Sequence, residues 1–470
     1  MITKFIKRIL RRDPMERRSH ANKSGAPKRI PKKTHRIDPH LLSKNAVKVT
    51  HTLQQAGYDA FIVGGAVRDL VLGIGPKDFD VATNATPEQV QKLFRKARLI
   101  GRRFQIVHVT FFGKGHPEII EVSTFRALLE NAGDHVAESG RILSDNVWGS
   151  QHEDAARRDF SINAMYYDPS SETVLDYHGG MADIQKKTLR MIGDPAKRYR
   201  EDPIRMLRAI RFAAKTGFTL DAATQAPIAK LGKLIHDVPS ARLFDEILKL
   251  LMSGYSWAAI QGLRNAGLHH GLLPLLDHIL DQKADSKGAN EFVRIALANT
   301  DQRIQSGKTV SAGFLFATLL WPDLLKNWKK NIASGISSIP ALHDAMDETI
   351  ATQSGSMTIQ RRFESDMREI WSMQPRFEKR VGRYPYRLIE SPRFRAAYDF
   401  LLLRCAAGEQ HAALGEWWTN FIAADPAGQE ALMAAVKNES GNPAATAKRR
   451  RRRKPKTSAP TEGNPAQQTS

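Results

Sequence analysis

A single cysteine, Cys405, in a chain of 470 residues excludes an intramolecular disulfide and a cysteine-based zinc site. It lies in the apolar run LLLRCAA, where a buried helix residue is expected, and it is consistent with a reducing compartment. No apolar stretch approaches the roughly 20 residues that a membrane span requires. The opening MITKFIKRILRR lacks the continuous apolar segment of a secretory signal, so a cytoplasmic location is expected. Acidic residues are also in deficit, 49 against 71 Lys and Arg, for a formal net charge of +22. Residues 1–36 hold thirteen Lys and Arg against Asp13 and Glu16, and Lys448 to Lys456 hold eight more in nine positions. The remainder is left with about +3, so the body is nearly neutral and the ends are basic arms. Such arms suit a polyanion bound by counterion release, or serve as solubilising disorder. Ile2, Phe5, Ile6, Ile9 and Leu10 fall at helical spacing opposite Lys4, Lys7, Arg8 and Arg11, which also admits peripheral contact with an acidic membrane surface.

What is present is organised around Ala60 to Thr83, AFIVGGAVRDLVLGIGPKDFDVAT. Ala60 to Val63 reads as a short buried strand. Gly64-Gly65 breaks it and opens a helix over Ala66 to Leu72, where bare backbone N–H groups can meet phosphate. A second strand, Phe79 to Ala82, follows Asp78. Alternation along an extended chain puts Asp78 and Asp80 on one side and Phe79 in the core. Paired carboxylates of this kind suit Mg²⁺, although D-x-D alone is common on exposed strand ends. Phosphate cradle and metal carboxylates together indicate phosphoryl or nucleotidyl transfer.

Elsewhere, order is expected to begin near Ile37 with a helix through Leu53. Thr86-Pro87-Glu88-Gln89 is a capping box that starts a helix running to about Lys96. Strands are expected over Ile106 to Phe112 and Glu118 to Phe125. Glu121 alternates with apolar residues there, and is either a third acid beside Asp78 and Asp80 or an edge-strand group in water. Residues 127–150 read as a mobile loop. Val174 to Tyr177 is a further short strand, and Arg200 to Lys215 a single helix with a broad apolar face, on which Asp202 and Arg205, three apart, are surface neighbours. From Leu220 to about Phe421 the chain is almost entirely helix-like. Trp321, Trp328, Trp371 and Tyr384 there are read mainly as core. His236-Asp237 is read as a surface loop.

The compound pattern GG-x-V-R-D followed by D-x-D-V-A-T resembles the first motif of the class II nucleotidyltransferases, the family of bacterial poly(A) polymerases and tRNA CCA-adding enzymes. RRDFSINA, from Arg157 to Ala164, resembles the family's second motif. Gly179 to Asp183 matches its G-G-x-x-D element, and Glu201-Asp202-Pro203-Ile204-Arg205 its E-D-x-x-R helix. Leu99 to Val109, LIGRRFQIVHV, the segments ANTDQRIQSGKTVSAGFLFATLLW and SPRFRAAYDFLLLR, and the Arg-rich tail resemble the poly(A) polymerase branch.

The resemblance implies an α+β fold. A disordered basic arm (1–36) precedes a nucleotidyltransferase head with a small mixed sheet (37–178). A helical nucleotide- and RNA-binding neck (179–240), an all-α body (241–437) and a disordered Arg-rich tail (438–470) follow. It implies transfer of AMP from ATP to RNA 3′-hydroxyl ends, with two Mg²⁺ ions (or Mn²⁺) held by Asp78 and Asp80 with Glu121 nearby. Asp159 is implied at the active site. Gly64, Gly65, Arg68, Arg157, Arg158, Asn163, Asp202, Arg205, Arg208 and Arg211 are implied to bind the nucleotide, Asp202 and Arg205 through its base edge. Arg102, Arg103 and Lys448, Arg449, Arg450, Arg451, Arg452, Arg453 and Lys454 are implied to bind RNA, with RNA-decay proteins as further partners.

Overall fold

A computed structural model describes residues 25–101, 105–113, 117–127, 147–270, 289–355 and 357–439. The expectations for the basic stretch before residue 25, the loop over 128–146, Arg102, Arg103 and Lys448 to Lys454 lie outside the described residues.

The head is built on an eight-stranded mixed sheet in the order β1-β8-β7-β2-β3-β6-β5-β4. Its strands are β1 (Lys28–Pro31), β2 (Ala60–Val63), β3 (Asp80–Thr83), β4 (Ala97–Ile100), β5 (Ile106–Phe111), β6 (Glu118–Thr124), β7 (Met165–Asp168) and β8 (Thr173–Asp176). All neighbours are antiparallel except β3 and β6, whose parallel register sets Asp80 against Glu121. Helix α1 (Lys44–Gln55), capped by the Ser43 side chain, covers β2 with buried Ala46, Val49 and Leu53.

Several expected boundaries shift. Residues 28–36 are not disordered: β1 forms the sheet edge against β8, and Lys32–His35 makes one helical turn. Ile30 explains the ordering, since it is buried although its neighbours are charged or Pro. A lone apolar residue in a basic stretch gives no visible period. Helix α2 spans Gly65–Val71. Helix α3 (Pro87–Leu93) begins with the expected Thr86–Gln89 capping box but stops at Leu93, so that the chain can form β4, which the sequence reading missed. Asp78 lies just before β3 rather than in a strand, but Phe79 is buried between two exposed acids as expected.

Helix α4 (Gln151–Arg157) carries the first arginine of RRDF, and a 3₁₀ turn over Ser161–Asn163 leads into β7. Helix α5 (Gly180–Gln185) packs on that turn. The expected helix over 200–215 is two helices, α6 (Pro195–Glu201) and α7 (Ile204–Thr216), broken where Asp202 turns extended before Pro203. Proline disfavours the helical conformation in the residue before it. Strands β9 (Thr188–Leu189) and β10 (Thr219–Leu220) pair in parallel within the otherwise helical neck.

From α8 (Ser240–Leu251) to the helix over Pro426–Glu439 the described residues of the body are helical with short connections. One apolar core runs without a break from the head sheet through α7 and α8 to Trp321 and Trp371. A second gathers Phe377, Phe394, Trp417, Trp418 and Phe421. Trp321 and Trp371 are core as expected, whereas Tyr384 is 36% exposed. Cys405 is half-buried in the helix Phe394–Ala406, and His236 and Asp237 are exposed. Among the described residues no helix is long and apolar enough to cross a membrane.

The packing of α5 on the 3₁₀ turn depends on a missing side chain. A Cβ at Gly180 would stand 2.3 Å from the Ser161 carbonyl oxygen and 2.9 Å from its carbonyl carbon. Backbone cannot step aside as a side-chain tip can, so Gly180→Ala is expected to cost about 3 kcal/mol. Equilibrium denaturation followed from head-specific probes reads this; a change below about 0.5 kcal/mol would show that the contact is soft.

Candidate active site

Where β2 ends, Gly64 turns with φ +73 and ψ −135 into α2. A Cβ there would lie 3.4 Å from Arg158 Nη1 and 3.9 Å from Asp80 Oδ2. The diglycine therefore brings backbone, a guanidinium and a carboxylate to one point. They open onto a cleft of about 560 Å³ between the head and α7 and α8. Of the expected residues, Gly64, Gly65, Arg68, Asp80, Arg158, Asp159, Asn163, Asp202, Arg205 and Arg208 line it. Asp78, Glu121, Arg157 and Arg211 are not among its walls.

Most of these polar groups are already engaged by the protein. The buried Arg68 donates to Asp69 (2.8 Å) and to Asn163 Oδ1 (2.7 Å), and stands 5.3 Å from the Phe212 ring centre. Arg158 donates to Asp154 (3.1 Å) and to the Tyr166 hydroxyl (3.2 Å). Asp159 accepts from Arg208 (2.7 Å), the Phe160 N–H (2.8 Å) and Asn163 (3.4 Å). Burial would raise the Asp159 carboxyl, but Arg208 and these donors outweigh it and hold it below the usual range. Arg211 donates to Glu246 (2.7 Å), which also stands 4.0 Å from Arg208.

The break at Asp202 changes one expected pairing. The Arg205 side chain donates to Glu201 (2.9 Å) and the Arg198 carbonyl (2.8 Å), not to the Asp202 carboxylate. Asp202 is held instead by Arg242 on α8, whose Nη2 lies 3.1 and 2.9 Å from its two oxygens.

Ile204, Phe212, Arg242, Asp245, Glu246 and Lys249 also line the cleft and were missed. The four on α8 fall at spacings of three and four opposite the buried Leu243, Phe244, Ile247 and Leu250. That periodicity was available in SARLFDEILKLL, where the eye follows the stronger apolar stripe.

Asp80 is accessible from the cleft, yet its carboxyl is pushed up to about 6. Loss of hydration acts first, then the Glu121 charge, with Asp78 adding to it and Arg158 opposing. Negative charge gathered in this way without full compensation fits a hard divalent cation. Glu121 is half exposed, 3.4 Å from His108, and does not join Asp78 and Asp80 in a three-donor set; no such set occurs among the described residues. Two carboxylates suffice for Mg²⁺, which keeps waters and takes substrate phosphate oxygens for the rest.

Comparison with known proteins gives the family. Residues 60–190 match the family model described as "Poly A polymerase head domain" and residues 334–456 that of "Polymerase A arginine-rich C-terminus". Residues 217–280 match "Probable RNA and SrmB- binding site of polymerase A". Poly(A) polymerase I of Escherichia coli O157:H7 is 44% identical over 440 residues, 92% of each chain. The chain belongs to the poly(A) polymerase family. It is thus a nucleotidyltransferase. The CCA-adding enzyme of Bacillus pumilus is 38% identical over 228 residues, 48% of this chain and 54% of that one. A solved structure of the Bacillus stearothermophilus CCA-adding enzyme in complex with CTP superposes with a TM-score of 0.55 at 25% identity, covering 85% of this chain and 92% of that one.

A carboxyl whose pKa is higher folded than unfolded costs stability above both values, and the cost fades as pH falls through the folded one. In chelator, Asp80→Asn is therefore expected to stabilise the protein at pH 8. The gain should be about 1 kcal/mol after allowing for solvent screening, and should shrink below about pH 6. Denaturant titrations at pH 8 and pH 5 read the difference, and equal gains at both would refute the assigned charge crowding.

Proposed function

We propose that this protein is a template-independent polynucleotide adenylyltransferase that adds AMP from ATP to RNA 3′-hydroxyl ends. The observation that carries the reading is that likeness to poly(A) polymerase I runs over 92% of both chains and includes the arginine-rich C-terminal model. The reaction joins the RNA 3′-oxygen to the α-phosphorus of ATP and breaks the bond from that phosphorus to the β-phosphate oxygen, releasing pyrophosphate.

Asp78 and Asp80 would hold the divalent ions. Mg²⁺ there would lower the pKa of the 3′-hydroxyl and offset charge on the leaving pyrophosphate. Gly64, Gly65 and Arg158 would orient the triphosphate, with Arg68 fixed behind them by Asp69 and Asn163. Asp159 acts through Arg208, which it aims into the cleft. Asp202 and Arg205 would read the adenine edge, since a site with fixed polar groups rejects bases that leave them unpaired. Residues 448–456 would add RNA affinity by counterion release. The reading places the activity in RNA processing and decay in the cytoplasm, where decay proteins or an acidic membrane surface would be contacts for the basic ends.

Primer extension tests the reading. With Mg²⁺, a generic 3′-hydroxyl RNA and single nucleotides, a long ladder is expected with ATP alone, and none from the Asp78→Ala protein. Addition confined to tRNA lacking CCA, requiring CTP and stopping after three residues, would assign the chain to the other branch.

Arg242 gives a separate expectation. Without it Asp202 loses its orientation, so Arg242→Ala should reduce the preference for ATP over CTP by about tenfold, roughly 1.4 kcal/mol. Single-nucleotide kcat/KM values measure this, and an unchanged ratio would remove Asp202 from base selection.

A further inference from the structure

The helical body holds a further cavity, of about 310 Å³, that shares no lining residue with the cleft. Its apolar walls come from Leu325, Trp328, Ile332 and Pro375. The helix Ala312–Ala333 supplies the first three at spacings of three and four, so they share one of its faces. Trp328 is half-buried and fixed in place. Its Nε1 donates to the Ser338 carbonyl (2.8 Å), and its ring meets that of Trp321 edge-on at 6.5 Å.

The polar side is built around Arg404, which is only 4% exposed. Past the end of its helix, Gly408 turns with φ +73 and the Glu409 N–H donates back to the Arg404 carbonyl (2.9 Å). That turn sets Glu409 beside the guanidinium. Arg404 Nε donates to Glu409 Oε1 (2.8 Å), while Oε2 accepts from Trp321 Nε1 (2.8 Å). Arg404 Nη1 donates to Gln374 (3.2 Å), whose own amide is tied to the Ile370 and Ala397 carbonyls. Arg404 Nη2 has no hydrogen-bond partner among the described residues, so a rigidly held donor is left to whatever enters. Lys329, Glu378 and Gln410 also line the cavity, and their side chains likewise have no partner among the described residues.

This lining selects a neutral, flat guest with polar edges. The charges of Arg404 and Lys329 are matched by those of Glu409 and Glu378, so the wall holds no excess to attract a phosphate or a carboxylate. A fixed tryptophan ring among aliphatic side chains suits a flat π-face, and the volume suits a single nucleobase. Gln410 offers a donor and an acceptor side by side, the pair that fits the N6–H and N7 of adenine. Guanine takes two parallel guanidinium donors, and Arg404 has its Nε and Nη1 already committed. The cavity also stands apart from the nucleotide cleft. Phe316, on the same helix as Trp328, stacks on Phe244 of α8 at 5.5 Å, and from Phe316 to Trp328 the helix runs on for about 18 Å.

We propose that the Trp328–Arg404 cavity binds one adenine base of an RNA chain, upstream of its 3′ end, and so gives the protein a hold on tails that already contain adenine. This rests on the adenylyltransferase reading.

The test measures binding of the full-length protein to labelled oligo(A) and oligo(C) of equal length by fluorescence anisotropy. Chelator is present and ATP is absent, so the outcome does not depend on whether the primer-extension assay succeeds. The wild type should bind oligo(A) about tenfold more tightly than oligo(C). Gln410→Ala should weaken oligo(A) to near the oligo(C) value and leave oligo(C) unchanged. Trp328→Ala should remove the preference and Trp328→Phe should keep most of it, since a phenyl ring still stacks. Gln410 makes no side-chain contact that folding needs, so its variant decides the matter even if Trp328→Ala does not fold. The proposal is overturned if the wild type shows no preference, if Gln410→Ala retains it, or if Gln410→Ala weakens both oligonucleotides alike. It is also overturned if AMP, at equal base concentration, displaces labelled oligo(A) as well as unlabelled oligo(A) does, which would make the cavity a free-nucleotide site.

Discussion

The site depends on a continuous row of charge pairs, bridged by one amide, that fastens one helix to the head. Lys215, Arg208 and Arg211 all lie on α7. Lys215 reaches Asp69 at 3.0 Å, and Asp69 holds Arg68, which donates to Asn163. Asn163 donates to Asp159, which holds Arg208, and Glu246 ties Arg211 and α8 to the same row. Removing one member of a buried pair typically costs about 3–5 kcal/mol, because its partner is left charged and dry. The intact row need not add much net stability, since desolvation offsets the attraction. Its effect is registry: α7 can meet the head in one position, and the cleft walls are thereby fixed relative to Asp80 and the diglycine.

This explains why some of the fold was legible in the sequence and some was not. Short-range signals were readable because the information lies within a few residues. The Thr86–Gln89 capping box and the β2–Gly64 break both stand where they were expected. Features that depend on distant partners left no local trace. Strand β1 is ordered by Ile30 entering the core and by pairing with β8, nearly 150 residues away. Helix α3 ends early because Ala97 to Ile100 pair with β5.

The site divides in the same way. The residue types of the motifs identified the cleft, and ten of the expected side chains and backbones line it. Their partners were harder to read. Helical spacing suggested that Asp202 faces Arg205, but Pro203 breaks the helix, and the carboxylate turns to Arg242 forty residues on. Arg211 and Arg208 share a helix face, yet Arg208 reaches the cleft while Arg211 is spent on Glu246. Sequence reveals which groups are charged; which of them remain available to a ligand is decided by tertiary neighbours.

The charges gathered around the diglycine show the same dependence on neighbours. At Asp80, loss of hydration and then the Glu121 charge raise a pKa; at Arg157, burial and then the neighbouring guanidinium groups lower one. Arg158 faces both, and the Asp154–Tyr166 pair holds it in place. At Asp80 the cost falls on folding, because a carboxylate short of hydration beside like charges is destabilised in its charged form. A divalent cation at Asp80 would relieve that crowding, so the glycine turn that sets the carboxylate beside Arg158 also sets a place in the cleft wall where added positive charge is favoured.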